Sequence, residues 1–338
     1  MNVQMSPDLC VCIKRIDETP DVFTLVFQRA DGRPFKFVAG QFVTLRFSFQ
    51  GKTFTRVFTI ASAATRSEQI ALTIKASVSG NATRILHENF RQDCNAEIGE
   101  PSGKFTLPDG PVGKMLFIGA GSGITPTMSI LRTLDDAGAN PDLVFIQCAR
   151  KGVDVLFWKE IKDISTRMNA LRALAICSEA TEGIPEFIAG RLDKKLLRDL
   201  VPDVAERTAY ICGPAGLMRT MRSALIDFGV ANDAIIEEAF DTELSVLPTE
   251  DQISSIFFNR AEIQFWCGRR ETILKAASSL GIPIETECKV GACGSCKVRL
   301  LSGGVYMGDM GGLSESEREE GYVLACCTVP RGPIIVDL

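Results

Sequence analysis

The sequence predicts a multidomain protein: an antiparallel β-barrel, then an α/β domain on a parallel sheet, then a small α+β domain around a cysteine-rich loop. Three observations predict it. Short runs that alternate apolar and polar residues fill the first hundred or so positions. From Lys114 the texture changes to continuous apolar strands alternating with helical patterns. Near the C-terminal end Cys288, Cys293 and Cys296 stand in C-x4-C-x2-C spacing, with Cys326 following after a longer gap. A chain of 338 residues also exceeds what one hydrophobic core usually covers. The expected boundaries are 1–107 for the barrel, 108–240 for the α/β domain, 241–257 for a linker and 258–338 for the last domain.

Bulk composition narrows the function. Hydrophobic residues make up 46% and charged residues 23%, and no apolar run approaches the ~20 residues needed to span a bilayer, so no membrane insertion is expected. The start, MNVQMSPDLC, has neither a basic n-region nor an apolar h-region, which makes a cytoplasmic location the expectation. A net charge of −5 offers no basic face for nucleic acid. Twelve cysteines in a long chain of this kind point to metal ligation and reduced thiols rather than a disulfide scaffold. The single histidine, His87, makes a Ser-His-Asp mechanism hard to assemble and all but excludes a multi-His metal site. It reads as a helix-surface residue. Chemistry here must come from a cofactor.

In the barrel, DVFTLVFQR, KFVAGQFVTLRFSF and QIALTIKAS read as strands punctuated by DG, GK and SG turns. SGNATRIL, residues 79–86, opens a helix whose terminal N–H groups suit a phosphate, although Ser-Gly-Asn is also an ordinary cap. In the second domain KMLFIGAG, DLVFIQCA, RALAICSE and TAYICGP read as buried strands. GAGSGITP follows the first of them, and glycines after a buried strand let a helix N-terminus approach a dinucleotide. The motif is not a strict G-x-G-x-x-G, because Ile124 holds the third glycine's place. Residues from Asp241 to Ser255 are polar and acidic, include Pro248, and read as linker.

In the last domain FFNRAEIQFWCG reads as a hairpin. Thr272 caps a helix carrying Ile273, Leu274, Ala277 and Leu280 on one face, and Gly281 and Pro283 stop it. CKVGACGSC has the plant-type [2Fe–2S] spacing. Its small residues Gly291, Ala292, Gly294 and Ser295 let peptide N–H groups approach the sulfurs. A zinc ribbon would need a second C-x2-C knuckle. Cys327 rivals Cys326 as fourth ligand, because neighbours in a strand point to opposite faces and only one can meet the cluster. Ser314 to Glu317 reads as a capping box opening a short acidic helix, a solvated face or a docking surface. Cys10, Cys12, Cys94, Cys148, Cys177 and Cys267 read as core or surface thiols.

Several of these motifs resemble the ferredoxin–NADP reductase superfamily. RVFTIAS, residues 56–62, matches R-x-Y-[ST]-x-x-S, SGNATRIL resembles G-x-x-S/T-x-x-L, and Gly121 to Pro126 match G-x-G-I-T-P. Cys212, Gly213 and Pro214 match C-G-P, EEAF resembles E-x-F, and YVLACCTVP resembles the L-x-C of β-grasp ferredoxins, which favours Cys326. The resemblance implies a flavin-binding barrel, an NAD-binding α/β domain and a β-grasp ferredoxin domain. It implies FAD with Arg56 on a phosphate, Phe58 in the usual tyrosine's place along the ring, Thr59 near N5 and Thr83 donating to the pyrophosphate. Ser62, Lys75, Gly80, Asn81 and Ala82 complete that expected set. Gly121, Gly123, Thr125, Pro126, Gly213 and Pro214 would hold NADH, and Glu238 and Phe240 would lie near nicotinamide and flavin. Thr59, Cys212 and Glu238 are the expected catalytic residues, with Cys212 a strand-end thiol rather than a nucleophile. Cys288, Cys293, Cys296 and Cys326 would bind the cluster.

The implied activity moves electrons from NADH through FAD and [2Fe–2S] to a protein acceptor. Ser178 and Glu179, after the strand LRALAIC, favour NADH over NADPH, with Arg150 weighing the other way. TEGIPEFIAGRL, VPDVAERTAYICGPAGLM and EREEGYVLAC resemble the NADH oxidoreductases that reduce hybrid-cluster protein. The alternatives are the reductase component of a Rieske-type oxygenase or demethylase, and a redox sensor that holds flavin and cluster without turnover.

Overall fold

The computed structural model describes residues 8–77, 81–108, 110, 112–179, 186–238, 254–268, 271–286, 288–308 and 312–338. They form two compact units, one drawn from residues up to 240 except 55–57, the other from residues after 240 together with 55–57.

The first unit contains two sheets. Its antiparallel sheet comprises β1 (Asp8–Thr19), β2 (Val22–Arg29), β3 (Phe42–Phe49), β4 (Lys52–Thr59), β5 (Ile70–Lys75) and β6 (Asn95–Ile98), in the order β4-β3-β6-β1-β2-β5. An isolated Ile60–Leu72 bridge joins the residue after β4 to β5, bringing the two ends of the sheet together at one point as in a barrel. Alternation sends Val43, Leu45 and Phe47 inward while Arg46 and Ser48 face out. Helix α1 (Asn81–Asn89) contributes Ala82 and Leu86 to this core. The expected strand over KFVAGQFVTLRFSF is shorter than its pattern suggests, beginning only at Phe42. At Gly40 φ is +94°, and an added Cβ would stand 1.9 Å from the Phe105 carbonyl oxygen, so the chain turns there instead of extending.

The second sheet of this unit is wholly parallel: β7 (Met115–Ala120), β8 (Leu143–Ala149), β9 (Leu171–Cys177), β10 (Ile188–Ala189), β11 (Thr208–Cys212) and β12 (Ile235–Glu238). Successive residues feed opposite faces. Met115 and Phe117 enter one core, Leu116 and Ile118 the other, which is why the strands read as unbroken apolar runs. Helices α2 (Thr125–Asp136), α3 (Trp158–Arg167), α4 (Lys194–Leu200) and α5 (Ala215–Asp227) connect them. The order β10-β9-β8-β7-β11-β12 reverses direction between β7 and β11, so a crevice opens beyond their C-terminal ends.

The second unit holds β13 (Ser254–Phe258), β14 (Ile263–Cys267), β15 (Lys297–Ser302), β16 (Val305–Met307), β17 (Tyr322–Leu324), β18 (Thr328–Pro330) and β19 (Ile334–Val336), with α6 (Ile273–Ser279) and α7 (Glu315–Glu319). Its main sheet runs β14-β13-β19-β15-β17, mixed because β13 and β19 are parallel. The hairpin forms as expected, but β13 starts at Ser254, inside the stretch expected to be linker. Ser254 and Ser255 are buried, and the Ser254 carbonyl accepts the Cys267 thiol proton at 3.3 Å. Residues 241–253 lie outside the described residues. Both expected caps are present: Thr272 Oγ1 accepts the Lys275 N–H, and Ser314 and Glu317 form the capping box.

Candidate functional site

At the switch point two turns lie side by side. Residues Gly121–Ile124 form a single 3-10 turn after β7, and α2 follows directly with Pro126 in its first turn, where a missing N–H costs nothing. A Cβ at Gly123 would stand 2.4 Å from the Cys212 carbonyl oxygen and 2.8 Å from the Gly213 nitrogen. Glycine is therefore what lets this turn touch the turn after β11, where Pro214 caps α5. The Thr125 hydroxyl, 1% exposed, donates to the Ser122 carbonyl at 2.9 Å and so braces the turn from within.

The register of β11 and β12 sets Cys212 beside Glu238, each the last residue of its strand. Thr59, the last residue of β4, donates its hydroxyl proton to Glu238 Oε2 at 2.7 Å. Glu238 is 4% exposed, and burial pushes its carboxyl up to about 7 even though the Thr59 hydrogen bond pulls the other way. Such a group exchanges a proton near neutrality. Burial, with Glu238 adding to it, pushes the Cys212 thiol well above the ordinary range, which agrees with a strand-end thiol and not a nucleophile. The three expected catalytic residues are thus brought together.

The expected flavin residues divide. Arg56 and Phe58 are half-buried on β4, and Arg56 Nη1 donates to the Thr55 carbonyl at 2.7 Å, leaving further guanidinium donors suited to a phosphate. Thr83 Oγ1 accepts the Ser77 N–H at 3.0 Å, which leaves its proton to donate. Half-buried cation, aromatic ring and helix amides are a donor set that fits FAD. Other members carry structural bonds instead. Ser62 Oγ accepts the Ala71 N–H at 3.0 Å, Lys75 pairs with Asp21 at 3.2 Å, and Ala82 is buried in the barrel core. Gly80, the Asn81 side chain and Phe240 lie outside the described residues. His87 is half-buried, its ring 5.3 Å from that of Phe23, so it is less of a surface residue than its sequence suggests.

Sequence reasoning passed over α2 itself. Ser129, Arg132, Thr133 and Asp136 bond to residues 62, 61, 64 and 66, just past Thr59. Polar groups at i, i+3, i+4 and i+7 of a helix whose first half is buried were the available signal.

In the second unit the cysteine loop folds around its own sulfur. The Cys288 Sγ accepts N–H groups of Val290, Ala292 and Cys293 at 3.4–3.5 Å. Gly291 has φ +80°, and a Cβ on Gly312 would stand 2.4 Å from the Gly291 carbonyl oxygen, so two backbones touch here too. The thiols associate in pairs. The Cys293 sulfur is the first cause pushing Cys288 up, and the Cys326 sulfur the first cause pushing Cys296 up. Among the described residues no three candidate ligands surround one point, whereas two sulfur pairs are what a two-iron cluster takes. The donor set fits [2Fe–2S]. Cys326 and Cys327 occupy a turn between β17 and β18, not a strand, so the expected alternation does not separate them. What separates them is bonding: Cys327 Sγ donates to the Gly308 carbonyl at 3.4 Å and would sit 2.6 Å from a Cβ on Gly291, while Cys326 meets Cys296.

Comparison with known proteins matches each part. Residues 10–107 match the oxidoreductase FAD-binding domain, 117–223 the oxidoreductase NAD-binding domain, and 256–331 the 2Fe-2S iron-sulfur cluster binding domain. The reductase subunit of stachydrine N-demethylase from Rhizobium meliloti is 33% identical over 96% of this chain and 95% of its own. The chain belongs to the ferredoxin–NADP reductase superfamily, in the branch that carries a [2Fe–2S] domain. The glycine betaine monooxygenase reductase subunit of Pseudomonas aeruginosa is 32% identical over 96% of this chain and 94% of its own. NADH oxidoreductase HCR of Escherichia coli is 32% identical over 94% of each chain. Phthalate dioxygenase reductase has the same fold, with a TM-score of 0.63, 18% identity and 98% of this chain covered against 97% of that one. This reductase therefore uses FAD, NADH and a [2Fe–2S] cluster and passes electrons to a partner protein. No helix among the described residues is long and apolar enough to cross a membrane.

Proposed function

We propose that the partner is the terminal component of a monooxygenase or N-demethylase. The observation that carries this is the end-to-end similarity to reductase subunits of two such systems, at 33% and 32% identity. Hybrid-cluster protein is the second reading, favoured by the 32% identity to the E. coli NADH oxidoreductase over 94% of each chain.

Within the reductase, Arg56, Phe58, Thr59 and the α1 N-terminus around Thr83 hold FAD. Gly121 to Pro126, Gly213 and Pro214 hold NADH at the switch point, where the glycine turns admit a dinucleotide against backbone. Thr59 and Glu238 orient the reacting rings and exclude water between them, and Glu238 holds or gives up a proton at Oε2 near neutral pH. Cys288, Cys293, Cys296 and Cys326 ligate the cluster. The flavin supplies the change from a two-electron donor to one-electron delivery, and the cluster accepts one electron at a time.

The test is anaerobic titration of purified reductase and NADH with candidate acceptors. Rapid NADH oxidation on adding a monooxygenase or demethylase component, and none on adding hybrid-cluster protein, supports the proposal. The reverse result moves the assignment to the second reading.

A further inference from the structure

Helix α2 is stapled along one face to the segment that follows Thr59. The Ser129 hydroxyl donates to the Ser62 carbonyl at 2.8 Å, Arg132 Nη1 donates to the Ala61 carbonyl at 2.6 Å, Thr133 Oγ1 accepts the Ala64 N–H at 2.9 Å, and Asp136 accepts Arg66 Nε at 2.8 Å. The other side of this segment is fixed to the barrel, since the Ala61 N–H donates to the Ala71 carbonyl at 2.8 Å. One helix therefore starts at the glycine turn of the switch point and ends bonded to the connection that follows Thr59.

Arg132 is the most constrained of the four. Its Nε and Nη2 form a two-pronged bond with the Glu160 carboxylate of α3 at 2.7 and 2.6 Å, and its guanidinium lies 4.8 Å from the centre of the Phe157 ring. The side chain is 15% exposed. A planar fork clamped on one edge and stacked on one face can present its remaining edge in one direction only, and that edge meets the Ala61 carbonyl, two residues beyond Thr59.

We infer that Arg132 is a positioning residue for hydride transfer, setting the spacing between the helix that begins at the nicotinamide site and the strand that bears the flavin. It touches no reacting atom. The inference rests on the assignment of Thr59 to the flavin site and Gly121 to Pro126 to the NADH site. Hydride transfer needs the donor carbon and the acceptor nitrogen held in a near-attack geometry, and a misplacement of about 1 Å can cost about a hundredfold in rate.

The test compares holoenzymes of wild type, Arg132→Gln and Glu160→Gln by anaerobic stopped-flow flavin reduction at saturating NADH. It adds one readout a merely structural role would leave alone, the long-wavelength charge-transfer absorbance of NAD+ bound to the reduced protein, and uses hydrogen exchange of the Ala64 amide to report loosening of the stapled segment. Arg132→Gln should lower the saturating rate about ten- to hundredfold, with FAD content and NAD+ affinity within about twofold of wild type. The charge-transfer absorbance should weaken and the Ala64 amide exchange faster. Glu160→Gln, which keeps Arg132 but loosens its clamp, should move each readout the same way by less, and it decides the matter alone if Arg132→Gln does not fold. Unchanged rate and absorbance in a folded variant, or a loss traced wholly to FAD release or weaker NADH binding, overturns the inference. A wild-type rate in Thr59→Ala would remove the site assignment beneath it, so the two failures are told apart.

Discussion

Thr59 and Glu238, separated by 179 positions in sequence, share a buried hydrogen bond of 2.7 Å that joins the end of a barrel strand to the end of a parallel-sheet strand. Because burial raises the Glu238 carboxyl from 4.5 to about 7, the fold favours its protonated form. Its contribution to stability is complete below about pH 4.5 and is lost as pH rises through 7, a difference on the order of 3 kcal/mol. Wild type should therefore lose more stability than Glu238→Gln between pH 5 and 8 in urea unfolding. Thr59→Val, which removes the bond that lowers the carboxyl, should shift the loss to higher pH. Parallel pH profiles for wild type and Glu238→Gln would contradict this.

The cysteine pairing separates two neighbours. Cys326→Ser should abolish or strongly alter the visible absorption and the electron paramagnetic resonance of the reduced cluster. Cys327→Ser should leave both nearly intact, since its thiol is engaged by the Gly308 and Leu324 carbonyls. An altered spectrum in the second variant alone would reverse the ligand assignment.

Cofactor choice should turn on Glu179. Its amide donates to the Arg150 carbonyl at 2.8 Å, fixing it beyond β9, and its carboxylate lies 3.6 Å from Lys151 Nζ. Arg150 and Lys151 keep positive charge close by, so Glu179→Arg should favour a 2′-phosphate and raise the NADPH/NADH ratio of kcat/KM by roughly tenfold, about 1.4 kcal/mol. An unchanged ratio would mean that Glu179 does not read the ribose.

Gly123→Ala drives a methyl group into the Cys212–Gly213 backbone of the turn after β11. We expect about 1–3 kcal/mol of destabilisation in thermal unfolding, as for other overpacked sites. NADH should no longer reduce the flavin efficiently, while dithionite still reduces flavin and cluster. Retained NADH turnover would show that the two turns can part at little cost.

Much of this was legible in sequence because local pattern and global position agree. Unbroken apolar runs gave the parallel strands, since both faces of that sheet are covered. The cap residues Thr272 and Ser314 work within one turn of chain. What escaped depends on distant partners. Phe35 to Gln41 has strand-like residues, yet Gly40 bends against Phe105, sixty-five positions on. Ser254 and Ser255 look like linker, but pairing with Cys267 and Trp266 makes them strand. Cys326 and Cys327 look like strand in sequence because the turn between β17 and β18 has no glycine or proline to announce it. Family resemblance alone sends Thr59 and Glu238 each toward the flavin, and no local pattern encodes the hydrogen bond between them.

The order of the second unit's sheet bears on how the protein is made. β19, the last of its strands to be synthesised, lies third of five, between β13 and β15. A nascent chain can close the β13–β14 hairpin early, but β13 waits with a bare edge until β19 has left the ribosome. The barrel and parallel sheet face no such delay, since all their strands precede residue 239. The sheet beneath the cysteine loop is therefore complete only once the last strand has emerged, when the flavin-binding part has already had time to fold.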